Sequence, residues 1–64
     1  MKQLYYITIT GRYLLDNDRP SKRRVTFSIK DTNTDLYIGG HVFHKRRPLM
    51  IEEITYEKLD GYYA

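Results

Sequence analysis

Two histidines, His41 and His44, are the side chains that would bind a metal or exchange a proton near neutral pH. They stand three residues apart in a segment that alternates like a β-strand, and side chains three apart on a strand point to opposite faces. The chain has no cysteine to complete a zinc site with them. We therefore expect no metal site and no cofactor. We interpret His44 as part of a basic cluster that gains charge below about pH 6.5.

The carboxylates form no recognisable catalytic set. Residues 31–35 read Asp-Thr-Asn-Thr-Asp, the opening of a calcium loop, but Leu36 stands where that loop needs glycine and Val42 where it needs glutamate. We interpret the segment as a turn. Glu52 and Glu53 are adjacent, so on a regular strand they would face opposite ways and would not act as an acid–base pair. Neither serine has an evident histidine and carboxylate beside it. We expect a protein that is not an enzyme.

Positive charge is concentrated in two short runs that both read Lys-Arg-Arg, at residues 22–24 and 45–47. The net charge is +3, with 11 basic and 8 acidic residues and a pI of about 9.3. A modest excess of this kind says little by itself, whereas its clustering indicates a surface for an anionic partner. The functional question is therefore whether the fold brings the two runs together.

The chain has 64 residues and a mass of 7.7 kDa, which is enough for one small domain spanning 1–64. A chain of this size buries a small core. No apolar run approaches the roughly 18 residues that a membrane span needs. The absence of cysteine is typical of proteins of reducing compartments. We therefore expect a cytoplasmic protein that does not insert into membranes.

Apolar residues alternate along most of the chain, which predicts an all-β fold. Residues 23–30 show the alternation most clearly, and residues 3–14 show it with a break at Gly11 that predicts a bulge or bend. A third strand is predicted over 36–45. For residues 49–59 a short C-terminal helix competes with a strand over 50–58, and the β-branched and aromatic residues favour the strand, with a bulge near Glu52 and Glu53.

Short polar turns separate these segments, so we predict a small antiparallel meander of four to five strands. The glycine pair Gly39-Gly40 inside the third strand predicts a sharp bend, as at the corner of a small barrel. The sheet is therefore expected to curl into a barrel or half-barrel.

Alternate turns of a meander lie at the same end of the sheet, so the fold is expected to gather the two basic runs at one pole. Only Asp16 and Asp18 would offset them there. The predicted anion-binding residues are Arg12, Arg19, Lys22, Arg23, Arg24, His44, Lys45, Arg46 and Arg47.

Nucleic acid is the expected partner, because arginine clusters bind phosphate well and exposed tyrosines can stack on unpaired bases. Tyr13 and Tyr37 are the predicted stacking residues. An alternative is a small phage- or mobile-element-type accessory protein that binds and inhibits or modulates a host protein. It would use the basic patch against an acidic surface, or a free sheet edge to add a strand. A homodimer that completes its small core through its edge strands or the Tyr62-Tyr63 tail is a third interpretation.

Overall fold

A computed structural model describes residues 2–63, and the side chains from Lys2 to Gly61. It contains four strands, β1 (Lys2–Tyr13), β2 (Val25–Asp31), β3 (His41–His44) and β4 (Arg47–Tyr63). All neighbours are antiparallel and belong to one sheet. The described residues contain no helix, so the all-β prediction is confirmed and the helix considered for 49–59 is wrong. Accordingly, no helix in the described part of the chain is long and apolar enough to cross a membrane.

The strand order is β2-β1-β4-β3, so the predicted meander is wrong. The long strands β1 and β4 pair with each other in the centre, and the shorter strands β2 and β3 form opposite edges. The connection over 32–40 therefore does not join neighbouring strands, but passes from one edge to the other. It contains Gly39 and Gly40 in a turn, closed by a bond from Gly40 N–H to Tyr37 O, and not inside a strand as predicted.

The alternation of β1 separates two faces as predicted. Ile7 and Ile9 lie on the buried face with Leu49 and Ile51 of β4, and all four side chains are at most 1% exposed. The opposite face carries hydroxyls that pair across strands, with Thr8 Oγ1 and Ser28 Oγ 3.0 Å apart. Burial of these four aliphatic side chains stabilises the sheet by about 1.5–3 kcal/mol each.

The apolar face is concave. Phe27 of β2 stacks on His44 of β3 with ring centroids 3.9 Å apart, although these strands are at opposite edges of the sheet. Leu36, in the connection, packs against the core, and Tyr56 Oη donates a hydrogen bond to its carbonyl. The sheet thus curls until side chains from its two edges meet. Its strand ladder is nevertheless open over the described residues, so a closed barrel is not confirmed.

Two irregularities in the β1–β4 pairing shape the sheet. One register shift lies between Thr10 and Gly11, opposite Ile51 and Glu53, and confirms the bulge predicted at this point. The other lies between Gln3 and Tyr5, and the Gln3 side-chain amide there donates to carbonyl oxygens of the facing segment, including Leu59 O at 2.7 Å. The first bulge is the important one for function, because it sets the directions of the acidic side chains near the basic runs.

Candidate nucleic-acid interface

The two basic runs lie at the same end of the sheet. Tyr13 at the end of β1 is opposite Leu49 near the start of β4, and Gly11 is opposite Val25 at the start of β2. Leu14 N–H also donates to Pro48 O at 3.0 Å, which ties the segment after β1 to the segment before Leu49. The β1–β2 connection and the β3–β4 turn are therefore adjacent. The predicted convergence is correct, although it follows from antiparallel pairing in the order β2-β1-β4-β3 and not from a meander.

The first tip is a small hairpin within the β1–β2 connection. Leu15 N–H bonds to Arg19 O at 2.8 Å and Asp18 N–H to Leu15 O at 2.9 Å, with Asp18 at φ 60°. This is a three-residue hairpin loop whose last residue is left-handed, a conformation that aspartate tolerates. Ser21 N–H continues the pairing to Tyr13 O. The loop exposes Arg19, and the chain that follows it exposes Lys22 and Arg23.

The second tip is the two-residue turn between β3 and β4. Lys45 and Arg46 have φ values of 53° and 63°, so both central residues are left-handed. This is the pattern of a type I′ turn, which is usually filled by Asn-Gly. A left-handed conformation costs about 1–2 kcal/mol for a residue with an ordinary side chain. The turn thus places two exposed cations in a strained backbone conformation that Asn-Gly would adopt with less strain.

Arg47, Tyr13 and His44 form a packed cluster beside this tip. The Arg47 guanidinium lies 4.1 Å from the centre of the Tyr13 ring, and Tyr13 Oη is 2.7 Å from His44 Nδ1. His44 is in turn stacked on Phe27. Tyr13 was predicted to stack on a base and His44 to contact an anion, but the structure engages both rings within the protein. Their contacts hold the two edges of the curled sheet together.

The bulge turns both acidic side chains of β4 towards the basic pole. Arg24 Nε lies 3.1 Å from Glu52 Oε1, and Arg24 Nη2 lies 3.2 Å from Glu53 Oε1. The expectation that these carboxylates face opposite ways is therefore wrong, because the extra residue in β4 breaks the alternation. Arg12 Nε also contacts Glu52 Oε1, at 3.2 Å.

These ion pairs engage two arginines of the predicted anion-binding set, Arg12 and Arg24. The hydrogen bond to Glu53, together with the negative charge of Glu53 and Glu52, raises the pKa of Arg24. Arg12 is half-buried and directed at Glu52. Each guanidinium keeps N–H donors that the carboxylates do not use, but the facing negative charge opposes the approach of a phosphate there. In this structure Arg12 and Arg24 are therefore ion-pair partners of the carboxylates at the bulge in β4.

The pole remains positive after these corrections. It carries eight basic residues against Asp16, Asp18, Glu52 and Glu53, which leaves a charge of +4. Within the described part of the chain, five of the basic residues are exposed and have neither a carboxylate nor an aromatic partner: Arg19, Lys22, Arg23, Lys45 and Arg46.

Two exposed aromatic residues lie in β3 or just before it. Tyr37 is 66% exposed and lies in the turn before β3, at the opposite end of that strand from the Lys45-Arg46 tip. Phe43 is 75% exposed and lies two residues from the tip. Sequence analysis did not single out Phe43, although the alternation that directs Val42 and His44 inward could have indicated it.

The structure gives no support for a metal site at the histidines or for a calcium loop at residues 31–35, within the described part of the chain. Over the described residues, no group of three histidine, aspartate or glutamate side chains could hold a metal ion. The 31–35 segment forms side-chain-capped turns, with Asp31 Oδ1 accepting from Thr32 N–H and Asn33 Oδ1 from Asp35 N–H. These are local turns after β2, and the segment is not the predicted turn between neighbouring strands, because the connection continues to the opposite edge of the sheet.

Comparison of the chain with known protein families, curated proteins and solved structures finds no match in any of the three. The function proposed below is therefore supported by the geometry and charge of the pole.

Proposed function

We propose that this protein is a non-catalytic module that binds nucleic acid through its basic pole. The observation that carries the proposal is the pair of adjacent hairpin tips. They come from different parts of the chain and present five exposed cations side by side, and two of these cations occupy a strained turn. The backbone phosphates of a nucleic acid are the partner that such a cluster fits. The cations are Arg19, Lys22, Arg23, Lys45 and Arg46.

The size of the pole agrees with a short length of nucleic acid. The molecule measures 40 × 18 × 16 Å, and the long strands β1 and β4 run along its length. A pole about 18 Å across spans about five nucleotides of one strand of a duplex, at roughly 3.4 Å each. The width of the pole therefore accommodates about as many phosphates as it has exposed cations.

Phosphate contacts of this kind position a backbone and do not select a sequence. Arg19, Arg23 and Arg46 would donate paired hydrogen bonds to phosphate oxygens, whereas Lys22 and Lys45 would contribute point charges. We propose Arg47 as a supporting charge, since its guanidinium already lies over the Tyr13 ring.

A gain of affinity tests this proposal, because a variant that fails to fold cannot produce it. The double change Glu52→Gln and Glu53→Gln should free the guanidinium groups of Arg12 and Arg24 and raise the charge of the pole from +4 to about +6. We expect the slope of log Kd against log salt for a duplex to steepen by up to about two, with tighter binding at low salt. The lost ion pairs are partly exposed to solvent, so their loss should affect the stability of the fold little.

The matched control is Glu57→Gln with Asp60→Asn, which changes the net charge equally. Glu57 faces Tyr6 in the half of the sheet remote from the tips, and Asp60 lies beyond it on β4. This control should leave the salt slope unchanged. Equal effects of the two double variants would show that net charge alone drives binding, and would contradict a localised site.

A further inference from the structure

The three most exposed large apolar side chains of the described residues lie in the edge strand β3 and in the turn that precedes it. Tyr37, Ile38 and Phe43 are 66%, 65% and 75% exposed, while Leu15 and Tyr6, the other exposed large apolar residues in the described part, reach only 47% and 38%. All three fall within the seven residues 37–43, so this stretch exposes more apolar side chain than any other stretch of similar length in the described chain. An exposed apolar cluster of this kind marks an interaction surface.

The backbone of this edge also has hydrogen-bonding groups to offer. A two-residue turn makes His44 and Arg47 a bonded pair, and Ile51 N–H donates to Gly40 O, so alternate residues of β3 bond to β4. The N–H and C=O groups of His41 and Phe43 therefore point away from β4. Since β3 is an edge strand, these four groups face outward from the sheet. They have the spacing that one added strand requires.

The other edge of the sheet is protected. On β2 the apolar residues Val25, Phe27 and Ile29 turn into the concave face and are half-buried. The alternating residues Thr26, Ser28 and Lys30 are polar, and a lysine on an edge strand discourages pairing. The four residues of β3 include no lysine. The two edges thus differ in the property that controls strand addition.

We propose that the β3 edge binds an extended acidic segment of a partner protein, which adds a fifth strand beside β3. The charge beside the edge identifies the partner. Lys45 and Arg46 lie directly after β3 at a pole of charge +4, so acidic side chains on the added strand would be paired there. An apolar side chain next to them would cover Phe43. The proposed strand shares Lys45 and Arg46 with the nucleic-acid interface, but the outward backbone groups of β3 and the Phe43 side chain belong to the strand site alone.

A second copy of this chain fits the same edge poorly. Residues 36–47 contain no aspartate or glutamate, so a neighbouring β3 would bring cations and no complementary charge. Each copy also carries a net charge of +3. An acidic strand therefore satisfies the backbone, apolar and charge requirements of the edge together, whereas a second copy meets only the first two.

The test uses a blocked octapeptide of alternating valine and glutamate as the probe, and the matching valine–lysine peptide as its control. Binding to the full chain is followed by amide chemical shifts and hydrogen exchange. We expect the acidic peptide to shift and protect the amides of His41 and Phe43, and the basic peptide to do neither. Phe43→Thr, which keeps a good strand former on the edge, should weaken binding at least tenfold. Tyr6→Thr, the same kind of change on the central strand β1 and away from the β3 edge, should not.

Three outcomes would overturn the proposal. In the first, the acidic peptide shifts only the amides of Arg19, Arg23, Lys45 and Arg46, and Phe43→Thr binds it as well as the natural chain. This result would show that the peptide is bound by charge alone and adds no strand. A sedimentation mass near twice 7.7 kDa that Phe43→Thr restores to a monomer would assign the edge to a second copy. Shifts at His41 and Phe43 with an oligonucleotide, and none with the peptide, would assign the edge to nucleic acid.

Discussion

Replacing Lys45-Arg46 by Asn-Gly is expected to raise the free energy of unfolding and to weaken nucleic-acid binding at the same time. Both residues are left-handed in the β3–β4 turn, and relieving them should recover about 2–4 kcal/mol. The added glycine makes the unfolded chain more flexible, which offsets about 1 kcal/mol of this gain in stability. A net stabilisation of about 1–3 kcal/mol should therefore be measured by urea unfolding.

The same change removes two of the five exposed cations of the pole. Each duplex phosphate contact contributes about 0.9 to the slope of log affinity against log salt, so the slope should fall by about two. At about 0.1 M salt this corresponds to a loss of affinity of one to two orders of magnitude. Fluorescence titration of a labelled duplex measures it.

A charge-only control separates the two effects. Lys45→Gln with Arg46→Gln removes the cations but leaves both positions left-handed, so affinity should fall equally with no gain in stability. Unchanged affinity in both double variants would remove the tip from the interface. A loss of stability in the Asn-Gly variant would contradict the assignment of strain to this turn.

The second large effect is expected at Gly11, where Gly11→Ala should destabilise the fold by about 3 kcal/mol or more. A Cβ atom there would overlap the carbonyl oxygen of Met50 and lie 2.6 Å from Leu49 Cδ2. The obstacle is partly backbone, so it cannot move aside as a flexible side chain would. A 64-residue domain has about 3–10 kcal/mol of stability in all, and the variant should be largely unfolded or strongly shifted in urea.

Alanine substitutions at two other glycines, Gly61 and Gly39, are the matched controls. A Cβ at Gly61 meets nothing within 4 Å, so Gly61→Ala should be nearly neutral. Gly39 has open space but a φ of +89°, so Gly39→Ala should cost about 1–2 kcal/mol through backbone strain alone. A Gly11→Ala protein as stable as the Gly61→Ala protein would show that the bulge at Gly11 is not tightly packed.

The faces of the strands could be predicted because alternation is a local property. Ile7 and Ile9 are buried and Thr8 is on the opposite face, as their spacing indicated, and the bulge near Gly11 followed from its interruption of the pattern. The pairing order could not be predicted in the same way. The alternation shows which side of a strand is buried, but not which strand lies beside it.

The details of the pole depended on two features that the sequence conceals. Lysine and arginine have no preference for left-handed turns, so nothing at Lys45-Arg46 indicated a type I′ hairpin tip. The pairing of Arg24 with Glu52 and Glu53 required the extra residue of the bulge and the adjacency of β1 and β4. The clustering of charge was predictable, whereas its partial neutralisation was not.

The measurement that tests the central claim most directly is the salt dependence of binding by the natural chain. Labelled single-stranded and duplex oligonucleotides are titrated at several concentrations between about 50 and 200 mM salt. Five phosphate contacts predict a slope near −4.5 for the duplex and near −3.5 for the single strand, so duplex affinity should fall by about 500-fold across this range. No binding at the lowest salt, or affinity that is independent of salt, would show that the basic pole is not a nucleic-acid site.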